Sequence, residues 1–177
     1  MSALPAGVAL VTVPLVLLGS LAGQVARPGL LAAALRAHRT VPRGLAVVVA
    51  RLVSATEAVL LGAVIVGLVR WEPVLLRVAM ASAAALLTLY ALYSAYVTRT
   101  RPHGVPCGCA GIETPMTGWV AARAGILGLI ALAGAAVGPP QELRPSEVFV
   151  CCAAGVAFTV ISWILPESMS YEGGTAR

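Results

Sequence analysis

Apolar residues run through this chain in five long blocks, over about 4–25, 45–69, 74–98, 118–137 and 147–165, each separated from the next by a short polar break. A bilayer's hydrocarbon core is about 30 Å thick and an α-helix rises about 1.5 Å per residue, so about twenty apolar residues span it. Every block is long enough, and the spacing predicts five transmembrane helices. Pro14 lies inside the first block, where its missing backbone donor predicts a kink supported by neighbouring helices. Gly138-Pro139-Pro140 is expected to close the fourth span and Pro166 the fifth. The third carries a run of small residues, Ala79, Ala81, Ser82, Ala83, Ala84 and Ala85, which lets helix backbones approach and predicts a central place in the bundle.

The break over 27–43 is too short and too basic to cross. Leu30, Leu31, Ala34, Leu35 and His38 share one helical face, with Arg36, Arg39 and Arg43 nearby, which predicts a short amphipathic helix in the membrane interface. His38 reads there as an interfacial residue. Tyr93, Tyr96 and Trp119 near the third connection, Trp71 at the opposite end and Trp163 at the end of span five read as an aromatic belt.

Composition strengthens this reading. Of 177 residues, 59% are hydrophobic and 11% charged, against about 25% charged in soluble domains. That is too little polar surface to enclose a water-soluble core. The expected architecture is all-α: a polytopic membrane helical bundle of about five transmembrane helices plus the interfacial one, forming a single integral membrane domain over 1–177. All twelve basic residues are Arg and all seven acidic residues are Glu. No basic cluster is interleaved with aromatics, so nucleic acid is not an expected partner; the lipid bilayer is. The N-terminus lacks a basic n-region, so the first block reads as a retained span rather than a removable signal peptide.

Arginine placement predicts the orientation. The first and third connections hold Arg27, Arg36, Arg39, Arg43, Arg99 and Arg101; the second and fourth hold Arg70, Arg77 and Arg144, diluted by Glu72, Glu142 and Glu147. The positive-inside rule then places the N-terminus outside and the third connection in the cytoplasm of a multi-pass cell-membrane protein.

That third connection is the place for chemistry. Arg101-Pro102-His103-Gly104-Val105-Pro106-Cys107-Gly108-Cys109-Ala110-Gly111 is the longest turn-rich interruption in the chain. A disulfide between Cys107 and Cys109 would close a very small ring, strained and readily reduced, which suits an exchanging redox pair better than a staple. Arg101 and His103 are candidates for supporting a thiolate, if the fold brings them close. Two other readings stay open: an inert turn with two thiols, and a copper or zinc site of His103, Cys107 and Cys109 that lacks a fourth ligand.

Glu57 stands in the middle of span two, and an intramembrane carboxylate is a functional candidate by default. Arg123, about one turn inside span four, is its expected partner across the bundle, either as a packing ion pair or with a proton-transfer or quinone-contact role. Cys151 and Cys152, adjacent on a helix and pointing about 100° apart, cannot readily pair with each other and read as small apolar side chains. No phosphate loop, paired-carboxylate site or Ser/His/Asp arrangement is visible, so hydrolase, kinase and transferase chemistry is not indicated. No cofactor motif is evident, and a quinone is the one group left open.

Pro106-Cys107-Gly108-Cys109-Ala110-Gly111, followed by Trp119 and Arg123 opening an apolar helix, resembles the signature of the MauE family of methylamine-utilisation membrane proteins, grouped with the DoxX-like proteins. Arg27-Pro28, the short helix through Leu35, His38 and Pro42, then Ala50 and Glu57 follow in the order that family shows, so the resemblance covers about 8–137 and leaves 147–165 as an additional helix. Two positions depart from the pattern: Ala110 stands where an aromatic is usual, and Ala124 where Asn commonly follows the arginine. The resemblance implies a redox-associated protein that acts with a thioredoxin-like partner in protein maturation, as in methylamine dehydrogenase biogenesis. It does not imply that methylamine is the pathway here. A maturation role outside the membrane also sits against the cytoplasmic loop that the arginines predict. A non-catalytic assembly or scaffold subunit of a membrane complex is the alternative from a different class.

Overall fold

The computed structural model describes residues 3–42, 44–101, 105–108, 116–140 and 144–172, with the side chains of 4–164 among them. Six helices follow in order: α1 (Ala3–Ala26), α2 (Leu30–His38), α3 (Ala46–Arg70), α4 (Pro73–Thr100), α5 (Gly118–Val137) and α6 (Pro145–Glu172). All but α2 are long and apolar enough to cross a membrane. The protein is an all-α, multi-pass membrane bundle, and α1 runs through Pro14 as one continuous helix.

Burial follows the logic of a lipid-solvated bundle. Leu18, Leu52, Val59, Leu89, Leu92, Leu129 and Ile161 are at least half exposed, a surface that water would not tolerate but hydrocarbon does. The interior is built from Val13, Leu17, Val64, Leu76, Met80 and Leu127, contributed by α1, α3, α4 and α5. Because lipid tails are as apolar as leucine, close backbone packing rather than hydrophobic exclusion joins such helices. The α4–α5 contact shows how: a Cβ on Gly128 would lie 3.1 Å from Thr88 Oγ1 and 3.4 Å from the Thr88 amide nitrogen. Ala79, Ala83 and Ala84 of the small-residue run are buried, whereas Ala81, Ser82 and Ala85 face outward.

A tight turn joins α3 to α4. Trp71 takes a left-handed conformation at φ 50°, the Glu72 amide donates back to the Gly67 carbonyl, and Pro73 starts the next helix where its missing N–H costs nothing. This turn marks one end of the bundle. Cys151 belongs to the same end, buried with its Sγ 3.7 Å from the Leu4 carbonyl, while its neighbour Cys152 is exposed. The opposite end gathers α2 and the segment 105–108.

Two sequence expectations change. The apolar face of α2 packs against Ala46 and Ala50 of α3, so the helix is docked on the bundle, and His38 is buried rather than interfacial. Helix α6 does not stop at Pro166 but continues to Glu172. Proline at 166 has no amide proton to give the Ser162 carbonyl one turn earlier. The Arg123 guanidinium supplies a donor to that oxygen instead, at 3.2 Å.

Candidate functional site

The site is built where α2 meets the start of the Cys-x-Cys segment. Gly108 has φ 74°, a left-handed conformation that favours glycine, and a Cβ there would fall 2.5 Å from Ala34 Cβ and 3.4 Å from Leu31 Cα. Any side chain at 108 would lift the loop off α2. The Met116 amide donates to the Val105 carbonyl at 2.8 Å and pins the two ends of the loop together. Between these constraints Cys107 is 5% exposed, packed with Val97, Met116 and Val120.

His38 holds the loop from below. Its Nε2 lies 2.8 Å from the Pro106 carbonyl and its Nδ1 2.9 Å from Tyr93 Oη, which is 2.7 Å from Thr40 Oγ1. A carbonyl only accepts, so Nε2 carries the proton. In the neutral ring Nδ1 accepts from the Tyr93 hydroxyl, and Thr40 donates to Tyr93 in turn. A side chain 1% exposed is thereby satisfied at both nitrogens. Arg101 closes the same corner by donating from Nη2 to the Arg39 carbonyl at 3.1 Å, tying the end of α4 to the end of α2. His103 and Cys109 lie outside the described residues.

Further into the bundle, Glu57 is 1% exposed and, among the described residues, receives hydrogen bonds from Ser20 Oγ at 3.2 Å and Tyr90 Oη at 2.8 Å on Oε1, and from Gln24 Nε2 at 2.8 Å on Oε2. Gln24 is held in turn by Ser54, which donates to its Oε1. The expected Glu57–Arg123 ion pair is not formed. The Arg123 guanidinium lies 4.9 Å over the Trp163 ring and donates to the Ser162 carbonyl, so Trp163 is a stacking partner of this cation. The two charged side chains only share the wall of a cavity of about 40 Å3. The physical reason is that each already has a nearer solution: hydroxyls and an amide for the carboxylate, an orphaned carbonyl and an indole for the cation. Tyr96, Trp119 and Trp71 remain about half exposed, as belt residues are.

A second cavity, of about 220 Å3, connects the two polar clusters. Glu57, Gln24 and Tyr90 line it deep in the bundle, Tyr93, His38 and Cys107 line it nearer the loop, and its remaining walls are mostly Leu and Val. Among the described residues no group of three metal-ligating side chains occurs; the two other members of the His103, Cys107, Cys109 set lie outside them.

A family model described as "Methylamine utilisation protein MauE" matches residues 1–137, from the first residue to the last of α5. The chain belongs to the MauE family. Helix α6, which packs on α1 through Gly155 and Val11, lies beyond the matched region. No curated protein and no solved structure matches this MauE-family chain. His38 and Tyr93 were not singled out for the site by the sequence. Their signal was available only in the helical register that puts His38 on the apolar face of α2 with Leu35 and Leu31.

Burial lowers the His38 pKa from its ordinary 6.5; the Pro106 acceptor works against that shift, and the nearby Arg101 charge adds to it. Between the lowered folded value and 6.5 the unfolded chain binds more protons than the native one, so stability rises with pH through that window. His38's contribution is complete above about pH 6.5 and is lost as the pH falls below it. Thermal unfolding of the detergent-solubilised protein is expected to show a midpoint that drops on acidification from 7 towards about 5, and His38→Gln is expected to flatten the drop attributable to this residue. An unchanged pH profile in the variant would contradict the assignment.

Proposed function

We propose that this MauE-family membrane protein exchanges thiol and disulfide equivalents through Cys107 and Cys109 with a thioredoxin-like partner during protein maturation. The observation that carries the reading is the care with which Cys107 is placed: a left-handed glycine seated on α2, a carbonyl bonded by a buried histidine, and a backbone clasp at Val105 and Met116. An inert turn would need none of these. Exchange proceeds by attack of a thiolate on a disulfide sulfur, through a mixed disulfide that a second thiol resolves. At 5% exposure Cys107 cannot reach the cysteines of a folded partner, in whichever direction the electrons pass. On that ground we give Cys109 the mixed disulfide with the partner, and Cys107 is the thiol that leaves from or closes the intramolecular bond.

The arginines support a cytoplasmic position for this site, because Arg27, Arg36, Arg39, Arg99 and Arg101 flank the loop end of the bundle. The maturation that the family resemblance implies would favour the outer face, and a membrane-impermeant thiol reagent applied to intact cells decides between them: protection until lysis supports the cytoplasmic side.

The decisive experiment is trapping. Cys107→Ser is expected to accumulate a mixed disulfide through Cys109, whereas Cys109→Ser is expected to trap none. If neither variant traps a partner and the double serine variant matures client proteins normally, the exchange reading fails and an assembly-subunit role replaces it.

A further inference from the structure

The cavity of about 220 Å3 is the feature that exchange with a protein partner leaves unused. A dry apolar cavity of about 150 Å3 holds a benzene ring, so this one has room for a substituted six-membered ring. Its walls include Leu31, Leu35, Val49 and Val53, and also Leu89, which is 61% exposed on the outward side of α4. A ligand could therefore enter sideways from the lipid. An acyl chain would fill such a space but would have no use for its polar groups. Those groups lie at two levels, Glu57 with Tyr90 and His38 with Tyr93. Tyr90 and Tyr93 are separated by about one turn of α4, roughly 5 Å. A flat ring carrying an oxygen at each end suits that arrangement, and Cys107 lines the same space.

We infer that this cavity binds the head group of a lipid-soluble quinone, which accepts the electrons of the Cys107/Cys109 dithiol; the inference rests on the redox reading of that pair. The step balances. Two S–H bonds break and one S–S bond forms, while two electrons and two protons pass to the two quinone oxygens and give a quinol. Cys107, lining the cavity, is the sulfur that faces the ring. Glu57 is the proton-handling group at the deep end. Its Oε2 accepts a hydrogen bond from Gln24 Nε2, and a carboxylate oxygen with two lone pairs can also take and return a proton. The disulfide left behind is the strained, readily reduced one expected of a Cys-x-Cys pair, suited to being passed on to a partner protein.

The binding half is tested without redox chemistry. The full-length Cys107→Ser/Cys109→Ser protein in phospholipid nanodiscs is irradiated with a photoreactive azidoquinone. Label is expected on the α3 and α4 peptides that carry Val53 and Leu89, and decylubiquinone is expected to compete it away. Val53→Phe, which fills the cavity, should lose most of the label. Leu89→Trp, on an already exposed position, should lose it too and guards against a Val53 variant that fails to fold. Label that is not competed, that lies elsewhere, or that survives both substitutions overturns the site.

The redox half uses the reduced wild-type protein. Decylubiquinone is expected to be converted to quinol with one disulfide formed per quinol, and Glu57→Gln should slow this by about 100-fold. Competed labelling without quinol formation overturns the electron-accepting role. Partner trapping without competed labelling overturns this inference alone, and competed labelling with quinol formation but no trapped partner overturns the proposed exchange alone.

Discussion

One hydrogen bond, from His38 Nε2 to the Pro106 carbonyl, joins the two parts of this protein that the chain keeps 68 residues apart. On one side is an amphipathic helix docked on a membrane bundle; on the other is a glycine- and proline-rich loop with a cysteine at its base. The bond works only because the rest of the imidazole is also satisfied. Tyr93 meets Nδ1 and Thr40 meets Tyr93, so three side chains contribute to fixing one carbonyl. Leaving that carbonyl without its donor in a buried setting costs on the order of 1–3 kcal/mol. Gly108 adds the steric half of the same constraint, since its seat on Ala34 has no room for a Cβ. The burial of Cys107, and the cavity it lines, follow from these two contacts.

Two charged groups inside the bundle are stabilised independently. A carboxylate and a guanidinium on facing helices invite pairing, but Glu57 is met by Ser20, Tyr90 and Gln24, and Arg123 by Ser162 and Trp163. Neutral donors hold Glu57 in place beside the cavity it lines. Arg123 instead repairs a defect. It serves the carbonyl that Pro166 cannot, and so allows α6 to run past a proline that would otherwise be expected to end it.

The sequence made the architecture legible because membrane solvation writes itself plainly into composition. The spans 118–137 and 45–69 need at most a one-residue shift to become α5 and α3. The short helix before span two was legible as well, since Leu31, Ala34, Leu35 and His38 fall on one face. Its destination was not, because periodicity shows that a face is apolar and not whether lipid or protein covers it. The same gap hid the role of Tyr93, which reads as a belt residue like Tyr96 until the neighbouring His38 is placed. Arg123 was misassigned for a different reason. A backbone carbonyl orphaned by proline leaves no residue type to recognise, whereas an acidic side chain elsewhere in the membrane is conspicuous.

The account's central claim is that His38 keeps Cys107 inside the bundle. It is tested most directly by the alkylation rate of Cys107 in a protein whose other cysteines are serine, with and without His38→Ala. Losing the bond is expected to raise the rate by about tenfold, the factor that corresponds to ~1.4 kcal/mol of easier opening. Equal rates in the two proteins, with folding intact, would show that the loop is held by something else.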